Sequence, residues 1–355
     1  TDFMNISFIG TGHYLPEIIQ PNSQFEKSEF IDENGKAFEA DNKEIIEKFQ
    51  AITGIESRRY LEPHLNTSDM GFFAAQKAIE NAKISAEEID YIIFAHNFGD
   101  VRHGEIQTDL LPSLASRVKN KLGIQNPKCV AYDMIFGCPG WVEGVIQAKA
   151  FIKSGMAKNC LVIGAEALSR VVDINDRDSM IFADGAGATI VSATNDGGNI
   201  LANVTTTLAN DEAYYLYFGK GNKASDKDQT RYIKMLGRKV YELAVVHVPS
   251  AMAEAIEEAG VSISEVKKVF LHQANEKMDE AMVKRLYRKF KADAPEGVMP
   301  MNIKEVGNNS VATVPVLFDM VRRKQMPEHE LKKGDVILFA SVGAGMNLNC
   351  IVYRY

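Results

Sequence analysis

The hydrophobic and polar pattern of the chain contains one segment twice. Residues 74–88, AAQKAIENAKISAEE, align without gaps on residues 251–265, AMAEAIEEAGVSISE, at an offset of 177 positions, half the chain. An apolar, strand-like run follows each copy, at 89–94 and at 266–271. This order predicts a helix, a short loop and a buried strand in each half. Two similar α/β halves are therefore expected, and the alternative is a chance match between two alanine- and glutamate-rich helices.

Strand and helix patterns also alternate within the first half. Residues 129–134 are typical of a strand, residues 139–153 of a helix that ends at Ser154-Gly155, and residues 160–163 of the next strand. This order predicts a βαβ unit with parallel strands and helices on both faces of a sheet.

Turn residues suggest where the halves meet. Asp196-Gly197-Gly198-Asn199 reads as a turn, so we predict an N-terminal half over 1–195 and a C-terminal half over 196–355. Residues 220–230, KGNKASDKDQT, read as a polar loop within the second half.

Composition narrows the class of protein. The 355 residues are 46% apolar and 25% charged, with a net charge of −7 and no lysine- and arginine-rich run, so nucleic acid is not expected as a partner. The sequence shows no long apolar stretch and no signal-peptide pattern at its start, which predicts a cytoplasmic protein without membrane insertion. The four cysteines contain no CxxC pair, so neither a zinc site nor a disulfide scaffold is expected.

Cys138 is the candidate nucleophile. It lies in DMIFGCPGW, residues 133–141, between a predicted strand and a predicted helix that starts at Pro139. Free backbone N–H groups and the helix dipole at such a position favour the thiolate. Gly137 and Gly140 permit a sharp turn. The alternative is a small buried residue in a tight turn, and Cys129, Cys160 and Cys350 are predicted to be buried strand thiols.

His272 and Asn308 lie at similar positions in the second half. His272 follows a predicted strand, and Asn308 lies in VGNNSVAT, residues 306–313, where a loop opens into an apolar helix. Ligands bind at the carboxyl ends of parallel strands, so both are candidate site residues. A hydrogen-bonded structural histidine and a helix-capping asparagine are the alternatives, and Asn309 or Ser310 could also be the cap.

Five motifs carry a family resemblance. FGCPGW, LHQANEKM, VGNNSVAT, FADGAGA and the terminal SVGAGMNLNCIVYRY resemble the thiolase superfamily, and most closely beta-ketoacyl-acyl-carrier-protein synthase III, over nearly the whole chain. The resemblance implies a thiolase-like duplicated α/β fold, five-layered αβαβα with two pseudo-symmetric halves. It also implies a homodimer and an acyltransferase that carries out a Claisen condensation.

The resemblance also assigns roles. Cys138 matches the acylated nucleophile, while His272 and Asn308 match the residues that stabilise the enolate of the incoming extender. The oxyanion hole is expected from the backbone N–H groups of Cys138 and Ala344. Arg177 matches, across a one-residue gap, an arginine that contacts coenzyme A. Coenzyme A or the phosphopantetheine of acyl carrier protein would carry the acyl thioesters, with no other cofactor and no metal.

The sequence departs from the family pattern in two places. Lys48 and Ile52 occupy the positions where many members place a tryptophan and an arginine around adenine. The loop at 96–105 is longer than in the housekeeping enzyme, and its His96 and His103 could enter the site or be ordinary exposed loop histidines. These departures resemble condensing enzymes of secondary metabolism and favour longer acyl groups and carrier-protein donors.

The same residues are compatible with other functions. One is a non-decarboxylative condensation of two longer acyl chains, as in pigment or dialkylresorcinol biosynthesis, and another is an inactive partner of a true ketosynthase. A hydroxymethylglutaryl-coenzyme A synthase is disfavoured because no segment marks a glutamate base.

The segment at 184–188, DGAGA, is interpreted as a structural turn. Candidate basic surfaces for a carrier protein are Lys149, Lys153 and Lys158, or Arg231, Lys234 and Arg238.

Overall fold

The architecture comes from a computed structural model that describes residues 4–223, 225 and 227–355. The α-helices in these residues are α1 (Asn42–Thr53), α2 (Thr67–Ala82), α3 (Leu114–Leu122), α4 (Gly140–Lys153), α5 (Gly237–Ala259), α6 (Glu276–Lys289), α7 (Ile303–Val306) and α8 (Thr313–Arg322). The strands are β1 (Asn5–Tyr14), β2 (Ile18–Pro21), β3 (Ser57–Tyr60), β4 (Tyr91–Ala95), β5 (Asp100–Val101), β6 (Thr108–Asp109), β7 (Val130–Met134), β8 (Asn159–Ala167), β9 (Asp184–Thr194), β10 (Asn199–Thr207), β11 (Leu216–Lys220), β12 (Arg231–Met235), β13 (Val266–Leu271), β14 (Val336–Gly343) and β15 (Asn347–Arg354).

Two sheets form the framework. The first has the order β1-β9-β8-β4-β7, and the second has the order β10-β15-β14-β13. In the first sheet β7 and β8 both run parallel to β4, which lies between them, so the predicted βαβ unit crosses over one strand. In the second sheet β13 and β14 are parallel, and β15 is antiparallel to β14. Parallel strands on one side and antiparallel strands on the other are common to both sheets.

Helices and sheets alternate in five layers, as the resemblance implies. Helices α2 and α3 cover the outer face of the first sheet. Helices α4 and α8 lie between the two sheets, and α5 and α6 cover the outer face of the second. Phe339 of β14 packs against two aromatic side chains of the middle layer. Its ring centroid lies 5.7 Å from that of Trp141 in α4 and 4.8 Å from that of Phe318 in α8. Burial of these aromatic side chains joins the halves into one core.

The repeated segments fold alike. A short 3-10 helix at Ala86–Glu88 precedes β4, and another at Ile263–Glu265 precedes β13. In the first, the N–H of Ser85 donates to Glu88 Oε2 at 2.7 Å, and in the second the N–H of Ser262 donates to Glu265 Oε2 at 2.7 Å. The same capping box therefore starts the same element in both copies, which confirms the sequence interpretation of a repeat.

The first-half strands end at Thr194 and the second sheet begins at Asn199, with bends in between. The division into 1–195 and 196–355 stays a prediction about domain organisation.

The segment at 184–188 is structural, but it is the buried beginning of β9 and not a turn. In the described part of the chain, no helix combines the length and apolarity needed to cross a bilayer.

The β11–β12 hairpin, like the short pair β5–β6, belongs to neither sheet. Among the described residues its strands pair only with each other, antiparallel, from Leu216↔Met235 to Lys220↔Arg231. The polar loop predicted at 220–230 connects them, and its Ala224 and Asp226 lie outside the described residues. The hairpin is held to the first half by the N–H of Ile233, which donates to Val171 O at 3.0 Å.

Candidate active site

Cys138 lies in the turn between β7 and α4. Pro139 caps the helix and Gly140 is its first residue, one position later than predicted. Gly137 has φ +66°, a left-handed conformation that favours glycine, and its carbonyl accepts from the N–H of Gly140 at 3.1 Å. The turn therefore places the thiol at the end of a strand and the start of a helix, as the sequence predicts.

The loop after β14 rests directly on this turn. A Cβ at Gly343 would lie 2.5 Å from the backbone N of Cys138, so only glycine fits there. A Cβ at Gly137 would lie 2.7 Å from the backbone N of Ala344. Asn347 Nδ2 donates to Ala344 O at 3.1 Å and fixes the loop. The two amides predicted for the oxyanion hole, at Cys138 and Ala344, are thus brought to one place.

His272 follows β13 directly. Its backbone N–H donates to Ala340 O of β14 at 2.9 Å, which continues the parallel ladder past the end of the strand. The side chain is buried, and its Nδ1 has no hydrogen-bond partner among the described residues. Burial lowers the pKa of His272 to about 4. The imidazole is therefore neutral near pH 7, with one N–H to donate.

Asn308 is held on both its main chain and its side chain. Its N–H donates to Ile181 O at 2.9 Å, and its carbonyl accepts from the N–H of Ala183 at 2.8 Å. The side-chain Oδ1 accepts from the N–H of Ser310 at 2.9 Å. Because that bond occupies the oxygen, the Nδ2 group is free to donate to a ligand.

Cys138, His272, Asn308 and Ala344 line one cavity. Its volume is about 420 Å³. The rest of its wall is largely apolar, and the hairpin β11–β12 contributes part of it. The large apolar lining residues are Phe98, Ile135, Phe136, Leu168, Phe182, Leu216, Phe218, Ile233, Met235, Val240, Met278 and Val342. Such a cavity suits a hydrocarbon chain that ends at a reactive thiol.

A second cavity of about 520 Å³ adjoins this one, and the exposed residues Lys48 and Ile52 are part of its wall. The two share Met235, Val240, Ala274, Met278 and Asn308, so they form one tunnel. Lys48, Ile52 and Arg177 line its outer part. The Arg177 guanidinium lies 4.5 Å from the centre of the Phe38 ring. The two departures from the adenine-binding pattern therefore lie at the tunnel mouth, beside Arg177.

Comparison with known proteins agrees with this geometry. The family models described as 3-oxoacyl-[acyl-carrier-protein (ACP)] synthase III and its C-terminal part match residues 132–208 and 256–355. Beta-ketoacyl-[acyl-carrier-protein] synthase III of Oceanobacillus iheyensis is 34% identical over 353 residues, covering 99% of each chain. This chain belongs to the 3-oxoacyl-[acyl-carrier-protein] synthase III family. It is an acyltransferase of the ketosynthase III type, which forms carbon–carbon bonds by Claisen condensation.

Solved structures give the same result for the fold. The synthase III of Aquifex aeolicus VF5 superposes with a TM-score of 0.80 at 32% identity, over 99% of this chain and 100% of that one. The priming beta-ketosynthase from the R1128 polyketide biosynthetic pathway has a TM-score of 0.80 at 25% identity, over 99% and 96% of the chains. The thiolase-like fold expected from the sequence motifs is confirmed.

The charge state of Cys138 differs from the expectation. Burial raises the pKa of the Cys138 thiol to about 12, and the nearby Glu166 carboxylate also raises it. A pKa raised in this way favours the thiol over the thiolate in the resting protein. Deprotonation must accompany the attack on the substrate.

The histidines of the 96–105 loop do not line the cavity. His96 is buried, with Nε2 2.7 Å from Asp133 Oδ2, and its Nδ1 accepts from the N–H of Gly99 at 3.1 Å. His103 is exposed and borders a separate surface pocket. The interpretation as an exposed loop histidine is correct for His103 but wrong for His96, which is buried. The loop contributes Asn97 and Phe98 to the site instead.

The other three cysteines are buried thiols, as predicted. Cys160 lies in β8 and Cys350 in β15, while Cys129 immediately precedes β7. Burial raises the pKa of each thiol. None of them lines the active-site cavity.

Two residues next to the nucleophile were not singled out for catalysis from the sequence. Ser310 Oγ lies 3.7 Å from Cys138 Sγ, and it was considered only as a helix cap. Glu166 lies behind Ser310 and is fully buried in β8. The signal that could have identified Glu166 is a charged residue inside a strand that is otherwise uncharged, NCLVIGAEA.

We expect Cys138→Ala to abolish the covalent acyl-enzyme while the fold remains, because alanine fits the same turn. Intact-protein mass spectrometry after incubation with an acyl thioester measures the adduct, and circular dichroism checks the fold. Cys129→Ala is the matched control and should keep the adduct. An acyl adduct on the Cys138→Ala protein would contradict the assignment of the nucleophile.

Proposed function

We propose that this synthase holds an acyl group on Cys138 and condenses it with a malonyl thioester, with loss of carbon dioxide, to give a 3-oxoacyl thioester. The observation that carries the proposal is that Cys138, His272 and Asn308 border one apolar cavity at the inner end of a tunnel. The loop at Gly343 lies against the Cys138 amide. This arrangement supplies a nucleophile, two groups of hydrogen-bond donors and room for an acyl chain.

The first step is acyl transfer. Cys138 Sγ attacks the thioester carbonyl, and the negative oxygen that forms is stabilised by the backbone N–H groups of Cys138 and Ala344. The close contact of Gly343 with Cys138 holds both amides in place before the substrate arrives. The carrier thiol then leaves through the tunnel.

The second step needs a stabilised carbanion. His272, neutral because burial lowers its pKa to about 4, donates its N–H to the thioester oxygen of the extender. Asn308 donates from Nδ2, since its Oδ1 is bound to Ser310. Loss of carbon dioxide then gives an enolate that attacks the acyl-cysteine. The bond from the acyl carbon to Cys138 Sγ breaks, the 3-oxoacyl thioester is released, and the sulfur takes up a proton. The His272 side chain is a neutral imidazole that can donate one N–H at any pH above about 4.

Coenzyme A or the phosphopantetheine of acyl carrier protein is the proposed carrier of both substrates. The tunnel would give the pantetheine arm a route to Cys138, and Arg177, which lines its outer part, offers a guanidinium that could bind a phosphate. Neither Lys48 nor Ile52 can provide an aromatic platform for adenine. We therefore propose a preference for carrier-bound acyl groups, and the apolar cavity favours acyl chains longer than acetyl.

A basic groove beside the tunnel mouth supports docking of an acidic carrier protein. The exposed cations Lys284, Arg285, Arg288 and Lys289 of α6 line it. Tyr241 of α5 lines both this groove and the outer tunnel, so the two adjoin. Opposite charges at such a site steer association.

The basic surfaces considered from the sequence are less suitable. Lys234 is buried, and its Nζ lies 2.8 Å from Asp173 and 2.9 Å from Asp176, so it is not available for docking. Lys149 is half-buried and donates to Asn203 Oδ1 at 2.7 Å. Lys153 ends α4, roughly 20 Å along the helix from Cys138 at 1.5 Å per residue.

We further propose a homodimer formed along β7. This strand is at the edge of the first sheet, and its only partner strand in the described residues is β4. The start of α3 is tied to this strand by Asp133, which accepts from the N–H groups of Leu114 and Ala115. Leu111, three residues before α3, is 89% exposed. An open strand edge beside exposed apolar side chains suits a second copy. The cytoplasmic location stays a prediction.

The first test separates the steps and the reaction types. We expect His272→Ala and Asn308→Ala to keep acylation of Cys138 and to lose condensation by about 10²- to 10³-fold each, the cost of one oxyanion donor. Release of labelled carbon dioxide from a malonyl thioester and formation of the 3-oxoacyl product measure the step. Product without carbon dioxide release would instead show the non-decarboxylative condensation, and no product with any acyl pair would show an inactive partner.

The second test concerns the donor. We expect Cys138 to be acylated faster by medium or longer acyl groups on carrier protein than by acetyl-coenzyme A, and Arg285→Glu to slow acylation only from carrier protein. Lys153→Glu makes the same charge change away from the mouth and should have little effect. A clear preference for acetyl-coenzyme A, unchanged by Arg285→Glu, would contradict both the chain-length and the docking proposals.

The third test is the mass in solution. Light scattering should give twice the chain mass of 39.3 kDa. Leu111→Glu should weaken the dimer because it places a charge in the apolar contact, whereas Ile174→Glu, at a side chain that is 75% exposed elsewhere, should not. A monomer at micromolar concentration would rule out the β7 interface.

A further inference from the structure

Glu166 is a buried charge that the proposed steps do not use. It lies in β8, where all nine residues are buried, and it is the one ionisable acid of that strand. Its relative exposure is 0%. A buried carboxylate without partners would be strongly destabilising, so its surroundings show what keeps it there.

Four donors surround the carboxylate. Oε2 accepts from the backbone N–H and from Nδ2 of Asn97, each at 2.9 Å, and Oε1 accepts from the N–H of Phe98 at 3.2 Å. The fourth donor is Ser310 Oγ, 3.5 Å from Oε2. These bonds favour the charged form, while burial, the largest influence, raises the pKa of Glu166 to about 7.

Ser310 connects this carboxylate with the nucleophile. The Cys138 thiol donates to Ser310 Oγ at 3.7 Å, and Ser310 in turn donates to Glu166. Ser310 has φ +56°, and its N–H is fixed by Asn308 Oδ1, so the hydroxyl is held between sulfur and carboxylate. The sequence separates these residues by 172 and 144 positions.

We propose that Glu166 accepts the proton of the Cys138 thiol through Ser310 during acyl transfer. The proposal rests on the acyl transfer to Cys138 described above. The thiol proton moves to Ser310 Oγ, and the Ser310 hydroxyl proton moves to Glu166 Oε2. The sulfur lone pair forms the bond to the acyl carbon, and the bond from that carbon to the carrier sulfur breaks. The carrier thiolate then takes up the proton, returned from Glu166 through Ser310.

The relay avoids a second buried charge. Ionised Glu166 is one of the influences that raise the pKa of Cys138, so a thiolate and a carboxylate at this distance oppose each other. When the proton moves from Cys138 Sγ to the Glu166 carboxylate, the negative charge moves from Glu166 to the sulfur. The site therefore holds one negative charge before and after the transfer. His272 is a weaker alternative base because its pKa is lowered to about 4. Glu166 acts through Ser310, so it is a positioning residue and not a catalytic one.

The titratable groups that face Glu166 are few. His96, in the loop after β4, attracts the carboxylate and lowers its pKa, and Cys138 faces it from the turn before α4. Asp133 lies beyond His96 and is bound to it. Because the carboxylate must be ionised to accept the proton, acylation should become faster as the pH rises through about 7.

The experiment compares two reactions of Cys138 across pH, acylation by an acyl thioester and alkylation by iodoacetamide, in wild type, Glu166→Gln and Ser310→Gly. Glycine tolerates the positive φ of residue 310 and removes the hydroxymethyl side chain that carries the hydroxyl. We expect both variants to acylate about 10²- to 10⁴-fold more slowly, the usual range for general-base assistance, and to lose the rise near pH 7. The double variant should be no slower than either one. Alkylation of Glu166→Gln should be unchanged or faster, because a negative charge has been removed, and Glu166→Asp should recover part of the acylation rate.

Two results would overturn the relay. One is Glu166→Gln and Ser310→Gly proteins that acylate with the wild-type rate and pH profile. The other is a parallel loss of acylation and alkylation in both variants, which would show that they displace the nucleophile turn. Failure of the proposed function appears differently, as wild-type Cys138 that takes no acyl group from any thioester.

Discussion

The contact between Gly343 and the backbone of Cys138 joins the two halves at the reacting atoms. The first half supplies the nucleophile turn, and the second supplies the loop that lies on it, with no space for even one Cβ between them. The middle layer of helices makes this contact possible, since α4 begins at the turn and packs against both sheets. Any change in the spacing of the two sheets would separate the amides of Cys138 and Ala344.

Loss of solvation governs the chemistry within that frame. Burial raises the pKa of Cys138 to about 12 and of Glu166 to about 7, and lowers that of His272 to about 4. Each shift disfavours the charged form of its group. The site therefore rests with a thiol and a neutral imidazole, and the charge that develops during reaction meets fixed N–H donors in place of water.

Much of the site could be predicted from sequence because its parts are local motifs. Cys138, His272 and Asn308 each follow a strand or precede a helix, and the structure brings all three to one cavity. The partners of the thiol could not be found in this way. Ser310 looked like a helix cap, and Glu166 is marked only by being charged in a buried strand. Their contacts join residues more than a hundred positions apart, which only packing defines.

The same limit explains the errors about charges. The helix position of Cys138 suggested a thiolate, but the degree of burial is a tertiary property and it reverses the expectation. Lys234 reads as a surface cation in a polar stretch, yet it is enclosed by Asp173 and Asp176.

The repeat was visible in the sequence because its capping serine and glutamate recur at the same spacing, Ser85 with Glu88 and Ser262 with Glu265.

The β11–β12 hairpin places part of the acyl-chain wall outside the hydrogen-bonded framework of the two sheets. It provides Leu216, Phe218 and Ile233 to the cavity wall, but its strands pair with neither sheet. Substitutions or exchanges there reshape the space for the acyl chain without touching the oxyanion amides or the middle layer. Diversification of this scaffold toward new acyl groups can thus proceed by replacing one module, and the same module is the place to begin engineering.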